Sequence, residues 1–192
     1  MLAVYREASA LTHNNQIKQI DDKTDTLLIG DSFFERLEWF QQIQFDKNIK
    51  LLAKGGDKLE NLFWRIKNTD LNDNIKYVIL NIGTNNLTSK FNENKINDFI
   101  LKLYFLIERI KNNFKNAKIY YLPLIPRKDI DISIINSINS KIKSNNNFVF
   151  LQDFWTDILN TLAYDIKYYE DHVHMNKITN AKFYDKLLQL FN

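Results

Sequence analysis

The chain has no cysteine among its 192 residues. It can therefore form no disulfide framework, no thiolate metal site and no cysteine nucleophile, so any acyl chemistry falls to a hydroxyl. Four glycines and two prolines leave few breakers, which predicts long regular elements joined by Asn- and Asp-rich connections. No stretch approaches the roughly 18 consecutive apolar residues of a membrane span. Neither sign of charge dominates. The 26 basic and 23 acidic residues give a net +3, and short clusters such as Lys141 and Lys143 read as solvated helix faces, so no nucleic-acid partner is expected. Arg6 and Glu7 stand where a signal peptide would keep an unbroken apolar run, and the expected location is the cytoplasm. What the chain does have is 45% hydrophobic residues, with 14% aromatics, enough for one substantial core. A single domain over 1–192 follows, with residues 1–25 as a helical or extended lead-in packed on it.

Strand-like runs, short and rich in Ile, Val, Tyr or Phe, recur at Thr26 to Ile29, Ile49 to Ala53, Tyr77 to Ile82, Lys118 to Leu122 and Phe148 to Leu151. Helical patterns lie between them. The clearest carries Ile96, Phe99, Ile100, Leu103, Ile107, Ile110 and Phe114 at spacings of three and four, one apolar stripe. Others cover Phe33 to Phe40, Leu59 to Ile66 and Ile132 to Ile142, and a last one holds Ile178, Phe183, Leu187, Leu188 and Phe191. Strand and helix in alternation are the signature of right-handed crossovers. The expected fold is α/β, a flavodoxin-like three-layer α/β/α sandwich around a five-stranded parallel sheet.

In a parallel sheet every segment that follows a strand lies on the same edge, where loops and helix N-termini converge on ligands. Four segments bring polar chemistry to the site: Ser32 after the first strand, Gly55-Gly56-Asp57 after the second, Gly83-Thr84-Asn85-Asn86 after the third, and Asp171-His172-Val173-His174 before the last helix. Alone, Gly30-Asp31-Ser32 is a turn plus a helix cap, since Ser is a preferred N-cap. Acyl transfer through a serine needs a base for its proton, a carboxylate to orient that base, and donors for the developing oxyanion. The histidines are His13, His172 and His174. His174 is preferred as base because Asp171, three residues earlier, can reach back to it within one turn, whereas His172 is adjacent to Asp171 and points elsewhere.

These blocks, in this order, resemble the SGNH/GDSL hydrolase family. Gly30-Asp31-Ser32 resembles its nucleophile block, Gly56 its glycine block, Gly83-Thr84-Asn85-Asn86 its asparagine block, and Asp171 with His174 its final block. The branch most similar is that of the platelet-activating factor acetylhydrolase catalytic subunits. That likeness rests on Gly55-Gly56-Asp57 with Leu62-Phe63-Trp64-Arg65, on Asn86, on Leu124-Ile125-Pro126-Arg127 and on His13-Asn14. The resemblance implies Ser32 as nucleophile, His174 as general base and then acid, and Asp171 as its orienter. It further implies an oxyanion hole from the backbone N–H groups of Ser32 and Gly56 and the amide of Asn85. No metal or organic cofactor is called for, the partner is a small-molecule ester, and a homodimer is the implied assembly. Phe33, Ala53 and Met175 depart from the family's usual residues without removing a catalytic group.

The function expected is a serine esterase for small acyl groups, acetyl first, on a carbohydrate or a lipid. An O-acyltransferase with the same residues and a non-catalytic binding module on the same fold are its rivals. Four smaller points stay open at this level. His13 either touches the site or has a structural place, such as capping an N-terminal helix. Trp155, Tyr164, Tyr168 and Tyr169 either wall a substrate pocket or pack a loop. Trp64-Arg65 reads as core packing with a paired or snorkelling arginine. Asp153 and Asp157 have no evident role.

Overall fold

The structure is a computed structural model that describes residues 3–39, 48–67, 69, 74–161 and 163–190. Five parallel strands, β1 Thr26–Gly30, β2 Ile49–Ala53, β3 Tyr77–Asn81, β4 Lys118–Tyr121 and β5 Val149–Phe150, form one sheet in the order β2-β1-β3-β4-β5. The chain reverses its winding between β1 and β3, the position where open α/β sheets bind ligands. Each strand falls within a residue or two of its expected bounds.

Alternate strand residues feed two cores, because successive side chains point to opposite faces. Leu27, Ile29, Val78, Leu80, Ile119 and Tyr121 pack beneath α3 Leu59–Lys67, α4 Ile96–Asn113 and α5 Ile132–Lys141. Leu28, Ile79, Tyr120 and Leu122 pack beneath α2 Ser32–Trp39, α6 Thr156–Leu159 and α7 Lys177–Leu188. Helices thus cover both faces, which gives the expected three layers. The lead-in is helical over α1 Glu7–Ile17, which lies against β2 and α3. Phe40 and Phe191, expected at the ends of α2 and α7, lie outside the described residues.

The apolar stripe of α4 is buried along its whole length, from Ile96 to Ile110. Leu103, with no exposed surface, sits at its middle. Replacement by alanine, Leu103→Ala, should cost about 2–5 kcal/mol of stability, measured as a lower urea midpoint with an unchanged slope.

Candidate active site

Close packing at the end of β1 leaves no room for a side chain before the site. A Cβ on Gly30 would stand 2.0 Å from the Asn81 carbonyl oxygen of β3. The next residue, Asp31, turns the strand into α2. Its Oδ1 accepts from the Phe33 N–H at 3.2 Å and its carbonyl accepts from Glu35 N–H at 3.1 Å. Asp31 therefore caps the helix, the task that serine commonly fills, and the hydroxyl of Ser32 turns elsewhere.

That hydroxyl meets His174. Ser32 Oγ lies 3.0 Å from His174 Nε2, and His174 Nδ1 lies 2.7 Å from Asp171 Oδ2. The Asp171-to-His174 segment is held as a tight loop by an antiparallel bridge between Tyr169 and Met175, and Glu170 N–H donates to the His174 carbonyl at 3.0 Å. Within it, Asp171 Oδ1 accepts from the N–H groups of Val173 and His174, both at 2.7 Å. Burial by itself would raise the Asp171 carboxyl. The backbone and ring donors of His174 and the Val173 N–H outweigh that and hold it down at about 2. The Asp171 carboxylate is thus charged at neutral pH. His172 is exposed, and its carbonyl accepts from Lys128 N–H at 3.0 Å.

The aromatic residues before this loop are packing and anchoring groups. Trp155 and Tyr169 are buried, and they donate at 2.6 Å to the carbonyls of Pro123 and Pro126 respectively. Tyr164 donates to the Asp171 carbonyl at 3.1 Å and packs on Tyr169 with ring centroids 4.6 Å apart. Phe33, buried, brings its ring within 6.1 Å of the His174 ring.

The other two loops close in from the β2 and β3 sides. A Cβ on Gly55 would lie 3.5 Å from the Ser32 Cβ, which sets the glycine turn beside the hydroxyl. Gly56 has φ +78, a conformation that glycine adopts without a Cβ clash. The amide of Asn85 donates to the Asp57 carbonyl at 3.0 Å, while Asn86 Oδ1 accepts from Leu59 N–H at 2.9 Å and so caps α3. Among the described residues no cluster of His, Asp and Glu suits a metal ion.

No protein-family model matches the sequence. Curated relatives include the alpha2 subunit of platelet-activating factor acetylhydrolase IB from human and rat, each 28% identical over 121 residues, or 60% of this chain and 50% of theirs. The chain spans about half the length of these relatives. A solved GDSL-like lipase of Bacteroides thetaiotaomicron matches with a TM-score of 0.69 at 14% identity, covering 96% of this chain and 97% of that one. The chain has the SGNH/GDSL hydrolase fold. A Bacteroides fragilis protein provisionally named an acylhydrolase shares this fold at TM-score 0.74 and 16% identity, with 98% of this chain and 97% of that chain covered. The acetylxylan esterase Axe2 of Geobacillus stearothermophilus shares it at 0.55 and 16%, with 86% and 93% covered.

Within this GDSL fold all five residues singled out in the sequence, Ser32, Gly56, Asn85, Asp171 and His174, lie at the carboxyl edge of the sheet. A buried polar network behind the glycine turn has no counterpart in the sequence reading. Arg65 and Asp57, both without exposed side-chain surface, pair at 3.1 Å. Asp57 also accepts from Ser9 and from Arg6, Arg65 donates to Gln16 Oε1 at 2.8 Å, and Gln16 donates to the Ala53 carbonyl at 2.8 Å. Only the pairing of Arg65 was foreseeable. Its partner on α1, Gln16, is 49 positions away and follows no spacing rule.

His13 belongs to this network and not to the cluster of Ser32, His174 and Asp171. It lies within α1, so it caps neither end. Thr69 Oγ1 donates to the Arg65 carbonyl at 2.9 Å, so His13 Nε2, 3.1 Å away, must donate to Thr69, which leaves Nδ1 bare and without a partner among the described residues. Burial, and then the neighbouring Arg65 charge, push the His13 imidazole down to about 4. Asp31 is shifted the other way. Burial drives its carboxyl up to about 8, with Asp57 and Glu35 adding to the rise and the Phe33 N–H and Arg127 opposing it.

The sign for His13 is fixed by its lowered value. The unfolded chain takes up the proton near 6.5, the folded chain near 4, so stability is full above the first value and is lost as pH falls to the second. Thermal unfolding across that window should show a smaller acid loss in His13→Gln than in the parent protein.

Proposed function

We propose that the protein is a serine esterase that releases a small acyl group, acetyl above all, through an acyl-enzyme intermediate. The observation that carries this reading is the continuous relay Ser32 Oγ, His174 Nε2, His174 Nδ1, Asp171 Oδ2, with steps of 3.0 and 2.7 Å. The names of the similar proteins, an acetylhydrolase subunit and an acetylxylan esterase among them, support it.

In this mechanism Ser32 Oγ attacks the ester carbonyl carbon while its proton passes to His174 Nε2. The carbonyl oxygen gains the negative charge, and the backbone N–H groups of Ser32 and Gly56 and the Asn85 amide receive it. At the first turn of α2 the Ser32 N–H has no partner within the helix, and an amide nitrogen such as that of Asn85 carries two protons, of which Asp57 takes one. Collapse breaks the bond to the leaving alkoxide, which takes the proton from Nε2. Water then gives a proton to the same nitrogen as it attacks the acyl-serine; collapse breaks the bond between Ser32 Oγ and the acyl carbon, Nε2 returns the proton to Oγ, and the carboxylic acid leaves. Throughout, the Asp171 carboxylate accepts from Nδ1–H and stabilises the imidazolium.

An open depression of about 520 Å³ adjoins the triad, lined by Ile166, Glu170, Asp171, His172, Val173 and His174. Ser32→Ala should lower the turnover of nitrophenyl acetate by about 10⁴-fold or more, and parent-like turnover would refute the mechanism. Asn85→Ala should lower kcat by roughly 10²- to 10³-fold; an unchanged rate would reduce Asn85 to a brace for the glycine turn.

A further inference from the structure

Arg6 breaks the local rules for where it stands. It is the N-cap of α1, with extended backbone (φ −141, ψ 117), and its side chain makes no capping bond. Ser, Thr, Asp or Asn is preferred there, and a cation at a helix N-terminus meets the wrong end of the helix dipole. A residue that costs its own helix stability is kept for a tertiary reason.

The side chain crosses to the glycine turn. Its Nη1 donates to the Gly55 carbonyl at 2.8 Å and to Asp57 Oδ1 at 3.2 Å, so one guanidinium nitrogen grips the turn on both sides of Gly56. The plane lies over Gly56 itself: a Cβ built there would stand 3.1 Å from Nη1 and 3.3 Å from Nη2. From the opposite side Glu35 accepts from the Gly55 N–H at 2.8 Å. Around these residues the segment is docked firmly. Val4 N–H donates to the Glu60 carbonyl at 3.2 Å, Asn61 donates to the Val4 carbonyl at 3.2 Å, and the Tyr5 ring meets Trp64 edge-on with centroids 5.0 Å apart.

We propose that Arg6 is a positioning residue whose guanidinium clamps the Gly55–Gly56–Asp57 turn, holding the Gly56 N–H where the oxyanion forms. The clamp rests on the esterase reading above, since it acts through that donor. It also makes the segment before α1 part of the working site, although no residue of it is placed among the reacting groups. A donor fixed before the reaction stabilises the transition state, whereas one free to wander does so less.

The variant Arg6→Ser separates this role from a merely structural one, because serine is a better N-cap and keeps α1. Only four glycines occur in the chain, so ¹⁵N-glycine labelling gives four amide resonances, two of them in the turn. In Arg6→Ser the Gly55 and Gly56 resonances should shift or broaden while those of Gly30 and Gly83 stay. The protein should stay folded by far-UV circular dichroism, kcat on nitrophenyl acetate should fall roughly 10- to 100-fold, and KM should stay within about twofold. Arg6→Lys, which keeps a donor for Asp57, should recover part of kcat. Unmoved Gly55 and Gly56 resonances overturn the clamp, and so do moved resonances with the parent kcat. If the parent protein neither hydrolyses esters nor labels at Ser32 with a fluorophosphonate, the esterase reading fails by itself. The turn resonances then still decide the clamp, shifted peaks supporting it and unmoved ones overturning it.

Discussion

Every strand of the sheet runs in one direction, and this places the ends of β1, β2 and β3 along a single edge. Hydrogen bonding between parallel strands fixes their relative heights, so Gly30, Ala53 and Asn81 stand in register across three strands. The loops that leave them start level with one another. Ser32, the glycine turn and Asn85 are neighbours for that reason, although the chain between them is long enough to have put them anywhere.

The edge brings the loops together, and polar contacts between them keep them there. Asn85 holds the Asp57 carbonyl, Asn86 caps α3, and Glu35 holds the Gly55 N–H. On the other side Trp155, Tyr169 and Tyr164 tie the loop after β4 and the Asp-His loop to each other through backbone carbonyls. Asp57 and Arg65 are the most deeply buried part of this scaffold. A paired charge without water is expensive to assemble and more expensive to break; here Ser9 and Gln16 of α1 bind Asp57 Oδ1 and Arg65 Nη2, while the buried Arg65 Nε has no partner among the described residues.

The fold was legible because its signals are periodic. Short continuous apolar runs alternate along the chain with helical segments, of which the seven-membered stripe from Ile96 to Phe114 is the clearest, and such patterns hold whatever the tertiary context. The contact of His174 with Asp171 was legible for a narrower reason: three histidines exist, and one of them stands three residues after an aspartate. Chemistry that depends on contact between distant elements was not. Nothing about Arg6 in sequence points to Gly55, and nothing about His13 points to Thr69, because those meetings are set by how α1 lies against β2 and α3. Asp31 was legible as a turn residue but not as the cap of α2, since the serine beside it has the same preference.

Ser32 and His174 are 142 positions apart, and His174 is held in place by a loop that leads straight into α7. Contacts between positions so distant are closed late, after the local structure around each of them. A chain that has formed its sheet and its first five helices would present the Ser32 hydroxyl at the sheet edge with no imidazole beside it and without the depression that residues 166–174 line. On the proposed esterase reading, activity in such an architecture is an all-or-none report on completed folding, and a partly folded molecule would be inert towards esters while already looking native over most of its surface.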